Sequence, residues 1–257
     1  MSGPEEAAAD KRPLHERIAA DLRGEIMDGD LAPGTNLPST QRLRERFDVS
    51  NATIQKAIGL LEDERLAIGH PGAAVTVRAH RQETVRPADT GAPVAAGEPY
   101  RWLSVAQRQG KRGSITLLDV AEVRPPSEVA EALELPASGT AVLRRQLLRH
   151  DGEPVELAAC YYPSDLAAGT PLTEPRRIRG GTPTLLAELG HPPQRTVDRV
   201  SARVPTQAEY EALRLPGDLP VLRTFRVVYG GTGDRLRPIE ATVMTKAGHL
   251  YELQYEF

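Results

Sequence analysis

The chain has 257 residues, a formal net charge of −3, 40% hydrophobic and 26% charged residues, which gives it the length for two domains and the apolar content for packed cores. A single cysteine, Cys160, excludes an internal disulfide and a cysteine-based zinc cluster, and is expected to be a buried strand residue. No run of about 18 apolar residues offers a membrane span, and the acidic, Ala-rich residues 1–10 lack a signal-peptide pattern, so a cytoplasmic protein without a membrane partner is expected.

In chain order, Leu14, Ile18, Leu22 and Ile26 repeat at helical spacing and predict a first helix with one buried stripe, closed by Asp28-Gly29-Asp30. Pro33 and Gly34 turn the chain. Ser39 stands where it would cap a second helix carrying Leu43 and Phe47, and Ser50 where it would cap a third whose Ile54, Ala57, Ile58 and Leu61 share one apolar face. Asn51, Thr53, Gln55 and Lys56 fall near the start of that third helix, where a recognition helix offers side chains to base edges and phosphates. The runs Leu66–Ile68 and Val75–Val77 flank His70-Pro71-Gly72 and predict a hairpin, the wing of a winged helix-turn-helix. Ten Lys and Arg between residues 11 and 80 are balanced by ten Asp and Glu, so any positive footprint is local, around Arg42, Arg44, Arg46 and Lys56. The winged domain is drawn over residues 10–79. Residues 80–99, rich in Pro, Gly and Ala, are drawn as a linker, and 100–257 as a second domain.

The second half repeats itself. Val120-Ala-Glu-Val, Glu131-Ala-Leu-Glu-Leu-Pro136, Val142-Leu-Arg144 and Glu153-Pro-Val-Glu156 recur in order as Val200-Ser-Ala-Arg-Val, Glu211-Ala-Leu-Arg-Leu-Pro216, Val221-Leu-Arg223 and Arg237-Pro-Ile-Glu240. Each unit of about 80 residues reads strand, short helix, strand, hairpin, strand, and two of them predict an antiparallel sheet with helices on one side, hence an α+β chain. Glu156 and Glu240 hold equivalent places, so they could grip a small molecule from two sides, or make salt bridges with Arg144, Arg145, Arg223 or Arg226. The six histidines are scattered without metal-ligand spacing, so neither a metal nor a cofactor is expected.

The order helix, Leu31-x-Pro-Gly-x-x-Leu-Pro-Ser39, helix, Val49-Ser-x-x-Thr-Ile54, helix, wing resembles the GntR family of bacterial transcription regulators. Carried over residue by residue, the resemblance implies DNA contacts at Gln41, Ser50, Asn51, Thr53, Gln55 and the wing residues His70 and Gly72. Ser39, Arg42 and Lys56 complete the expected set. Arginine is common in the family where Gln41, Asn51 and Gln55 stand; Gln and Asn suit adenine where Arg suits guanine, so an operator different from the family's usual one is expected. Residues 100–257 resemble the UTRA effector domain of HutC-type members, a chorismate-lyase-like fold, through Leu135-Pro136, Asp151-Gly-Glu-Pro-Val-Glu156, Tyr162-Pro163 and Pro238-Ile-Glu240. The effector-binding set expected from it is Arg101, Arg144, Glu156, Tyr162 and Glu240. Relatives that sense sugar phosphates carry basic residues where Gln146 and Leu148 stand, and a tyrosine where Lys246 stands, so an acid or another metabolite is expected instead. The resemblance implies a homodimer on a pseudo-palindromic operator, acting as a repressor under a small-molecule effector. The alternative is a lyase-like enzyme tethered to DNA by its heads.

Overall fold

The computed structural model describes residues 10–69, 72–78, 82–95, 97–217, 219–231 and 236–256. The chain divides into two compact units, Met1–Arg81 and Gln82–Phe257. The first contains α1 (Leu14–Asp28), α2 (Thr40–Phe47), α3 (Asn51–Asp63) and the antiparallel pair β1 (Ala67–Ile68) and β2 (Thr76–Val77). Its core gathers Ile18, Leu22 and Ile26 of α1 with Leu43, Ile54, Ala57, Ile58 and Leu61. Leu14, expected to open the buried stripe, is 46% exposed: it is the first helical residue after Pro13, one turn short of the helices it would pack on. Gly29 ends α1 in the left-handed conformation (φ 94°), where a Cβ would be strained, and its N–H bonds the Glu25 carbonyl.

The second unit runs β3 (Glu83–Val85), α4 (Arg101–Arg108), β4 (Gly113–Val123), α5 (Ser127–Ala132), β5 (Ala141–His150), β6 (Glu153–Pro163), α6 (Ser164–Ala167), α7 (Thr182–Glu188), β7 (Pro193–Arg203), α8 (Gln207–Leu213), β8 (Val221–Gly230), β9 (Arg237–Ala247) and β10 (Tyr251–Leu253). Six strands form one antiparallel sheet in the order β4-β5-β6-β9-β8-β7, while β3 pairs in parallel with β10. Much of the stretch drawn as a linker is therefore built into the second unit. Glu83, Thr84 and Val85 lie in register with Tyr251, Glu252 and Leu253.

Side chains alternate across the sheet, so each strand serves two layers. On one face Ala141, Tyr161, Phe225, Val227 and Ala241 form a core with Val129 and Leu133 of the α5 region. The other face carries Leu117, Leu148, Ala158 and Met244 and bounds a cavity that Trp102 of α4 and the start of α7 help to close. Helices thus cover both faces rather than the expected one, because both faces present apolar rows that must leave water.

Candidate functional sites

In the first unit, helix caps present the polar edge of α3. Ser39 accepts from the Arg42 N–H at 3.3 Å, and Ser50 accepts from the Thr53 N–H at 3.2 Å while its hydroxyl meets that of Thr53 at 2.9 Å. Both serines work as N-caps, each satisfying a free donor of its helix's first turn. Asn51, Gln55 and Lys56 are exposed along α3, with Gln55 donating to Thr40 at 3.3 Å; Gln41 is held by Glu45 at 3.0 Å. Arg42 and Arg44 are exposed, but Arg46 bonds Glu25 of α1 and stacks over Phe47. That cation leaves the expected positive cluster because an acid one helix away claims it. Gly72 is exposed at φ 75°, whereas His70 lies outside the described residues.

The second unit contains a cavity of about 130 Å³ over one face of the sheet. Its floor is laid in rows across the strands. Leu148, Glu156 and Lys246 make one row; Gln146, Ala158, Met244 and Thr224 the next; Arg144, Cys160, Thr242 and Arg226 the third; Glu240 and Val228 the last. Val85, Pro87, Thr90 and Gly91, with Tyr100 and Trp102, supply walls from the chain just after the first unit. Gly181 fits beneath Tyr100: a Cβ there would stand 2.3 Å from the ring, and its φ of 82° already requires glycine.

The charged groups of the floor differ in how fully they are paired. Lys246 contacts Glu156, and burial pushes its ammonium down to about 7. Arg144 donates to the carbonyls of Leu172 at 2.7 Å, Glu174 at 2.9 Å and Arg176 at 2.6 Å, so it holds a loop; burial lowers it. Arg226 grips Asp198 with Nε and Nη2, both at 2.7 Å; burial pulls it down, but those bonds outweigh burial and raise it. Glu240 is raised by burial against partial relief from Thr242, which donates to Oε1 at 2.6 Å, and from the charge of Arg226. Burial likewise raises the Cys160 thiol to about 12, which leaves it an unreactive wall atom.

Of the residues expected around an effector, Arg144, Glu156 and Glu240 line the cavity. Arg101 and Tyr162 do not. Arg101 is exposed on α4, with Nε on the Pro93 carbonyl at 3.4 Å, because the turn that seats Trp102 inward sends its neighbour outward. Tyr162 is fully buried at the end of β6; its hydroxyl makes no hydrogen bond of ordinary geometry among the described residues, but it faces Thr182, Cys160 and Glu240 and relieves the charge of that glutamate. The salt bridges weighed for the glutamates take a different form: Glu156 pairs with a lysine across the central strands, and no ion pair joins Glu240 among the described residues. Sequence reasoning missed Tyr100, Trp102 and the wall at 85–91, and named Arg226 only as a salt-bridge partner for the glutamates. Trp102 left one signal, being the only tryptophan in a chain with 4% aromatics.

A second cluster ties down the start of this unit. Glu83 of β3 meets Lys111 Nζ at 2.7 Å and His150 Nδ1 at 3.4 Å, and His150 stacks on Trp102 with ring centroids 4.9 Å apart. Burial alone would raise Glu83, but His150 and Lys111 outweigh it and hold the carboxyl at about 2.

These two constellations, a capped helix-turn-helix with a wing and an antiparallel sheet with a walled cavity, coincide with two known modules. Residues 14–77 match the bacterial regulatory proteins of the gntR family, and residues 108–252, more than half the chain, match the UTRA domain. The chain is a UTRA-domain member of the GntR family. It is a DNA-binding transcriptional regulator that responds to a ligand. The GntR-family chain is 27% identical to the HTH-type transcriptional regulator SCO4628 of Streptomyces coelicolor, over 97% of this chain and 94% of that protein. It is 26% identical to the HTH-type transcriptional regulator GgaR of Escherichia coli K12, over 95% and 91%. Its fold is similar to that of PhnF from Mycobacterium smegmatis, with a TM-score of 0.56 at 19% identity over 93% of this chain and 99% of PhnF. No described helix of this GntR regulator is long and apolar enough to cross a membrane.

Proposed function

We propose that this regulator is a cytoplasmic homodimeric repressor of the HutC type, whose operator affinity is set by a small molecule in the cavity of the second unit. Asn51 and Gln55 read base edges, with Gln55 suited to adenine, while Arg42 and Lys56 hold phosphates; Ser39, Gln41, Ser50, Thr53 and the wing at His70 and Gly72 fix the register. A dimer would place two such heads on a pseudo-palindrome. The exposed Val197 and Val200 of edge strand β7 support pairing through the second unit, since an open edge carrying apolar side chains is a surface that association covers. The symmetric strand order about the β6–β9 seam, with Glu156 and Glu240 on matching strands, supports a chorismate-lyase-like fold built from two repeats.

One observation carries the regulatory reading: Val85, Pro87, Thr90 and Gly91 are cavity wall and are also the chain that follows the first unit. An effector that touches them has differential contact with two arrangements of that segment, which is what coupling requires. Gly91 tests this. A Cβ there would sit 3.9 Å from Arg226 Nη1 and 3.8 Å from the Pro87 carbonyl, and no positive φ bars a side chain. Gly91→Leu should fill the cavity and abolish effector-dependent change in operator affinity, read by anisotropy of a labelled operator duplex. An unaltered effector response would remove residues 85–91 from the mechanism.

A further inference from the structure

Across the cavity floor most charges are already committed. The guanidinium of Arg144 is spent on main-chain carbonyls, and Lys246 on Glu156. Arg177 is at the rim and exposed, so water and salt screen it. Two groups of opposite sign keep free atoms. Arg226 uses Nε and Nη2 on Asp198, leaving Nη1 without a hydrogen bond among the described residues. Glu240 accepts from Thr242 at Oε1 and has the Tyr162 hydroxyl near enough to relieve its charge, but no cation pairs with it and no hydrogen bond reaches Oε2 among the described residues.

The two belong to neighbouring strands. Arg226 pairs with Thr242 across β8 and β9, and Glu240 is two residues from Thr242 on the same face. Such diagonal neighbours stand about 7–8 Å apart. They influence each other electrostatically, yet no salt bridge joins them. A lone carboxylate on Arg226 would sit beside the Glu240 carboxyl, and a lone amine on Glu240 beside the guanidinium. A neutral sugar would desolvate both charges without pairing either, the costliest arrangement for buried ions. A phosphate dianion would find one free guanidinium nitrogen and two acidic neighbours.

We propose that the ligand of this cavity is an amino-acid zwitterion, its carboxylate on Arg226 Nη1 and its ammonium on Glu240 Oε2, with an apolar side chain directed over Leu117, Leu148 and Met244. The proposal rests on the reading of this cavity as the effector site and names the chemical class of its occupant. Tyr100 lines the same cavity, close enough to Glu240 and Arg226 to feel both charges.

The test is calorimetric titration of the full chain with leucine, methionine and phenylalanine. Each is set against the amine lacking its carboxylate and the acid lacking its amine, with glucose 6-phosphate as the phosphorylated comparison. The expected result is an amino acid that binds roughly tenfold or more tighter than either truncated analogue, the worth of a charge-assisted hydrogen bond. In Glu240→Gln the preference for the amino acid over its deaminated acid should fall towards unity. Truncating the ligand needs no variant, so the result stands even if the substitution disturbs folding. Equal binding of the truncated analogues, binding of glucose 6-phosphate alone, or no binding by the whole panel overturns the proposal. Binding of the zwitterion with no change in operator affinity would instead overturn the regulatory reading while leaving the ligand class intact.

Discussion

Replacing Glu83 by Gln removes the charge that fastens β3, the first strand of the second unit in chain order, to Lys111 and His150. The carboxyl is held at about 2 against an ordinary 4.5. At 1.36 kcal/mol per pKa unit that difference is worth roughly 3 kcal/mol, and partial solvent screening reduces it to about 1–2 kcal/mol. The sign follows from a depressed acid: the stabilisation is complete above pH 4.5, declines as pH falls below it, and is gone near pH 2. For a unit of this size the variant should melt about 2–8 °C below wild type at pH 7. The gap should shrink between pH 4.5 and pH 3. Amides of Thr84 and Val85 should exchange faster, because their ladder to β10 loses its anchor. Because β3 enters the cavity wall at Val85, the same change should blunt the operator response to effector. A melting gap that is constant from pH 7 to pH 3 would refute the argument, since a neutral amide and a stabilised carboxylate must converge as the carboxylate is titrated.

Gln55→Ala should weaken cognate operator binding by ~1–3 kcal/mol with little effect on random duplex, while Lys56→Ala should weaken both and flatten the salt dependence; anisotropy at several salt concentrations separates them. Glu240→Gln should raise the melting temperature of the ligand-free protein at pH 8. Its pKa is raised by burial, so the folded state disfavours the ionised acid above pH 4.5, and the gain should vanish below that pH. Sedimentation of residues 82–257 alone should show a dimer, and Val197→Lys with Val200→Lys on β7 should shift it to monomer; a monomeric wild-type fragment would exclude pairing through this unit.

Local signals were strong where local forces decide. Ser39 and Ser50 precede their apolar runs and do cap α2 and α3, because a cap is a contact within four residues. The stripe at Ile18, Leu22 and Ile26 is buried because helical spacing alone aligns it. Arg46 and Leu14 departed from expectation for reasons no periodicity carries: an acid on another helix, and the point at which packing stops.

In the second unit, alternation and turn residues made the strands legible, and the repeated order brought Glu156 and Glu240 to notice. Their fates diverged through long-range partners. Glu156 meets Lys246 across the seam, and Glu240 is left beside an arginine already held by Asp198. Residues 82–91 show the division most clearly. By composition they are a Pro- and Gly-rich tether, since nothing within ten residues demands a strand. They become wall and strand because β10, at the far end of the chain, has an open edge whose N–H and C=O groups need partners. Sequence by itself therefore determined the two modules and the capped third helix, through contacts close along the chain. The tertiary structure decided which charges stay free in the cavity and which segment closes it, because both depend on pairings that sequence distance conceals.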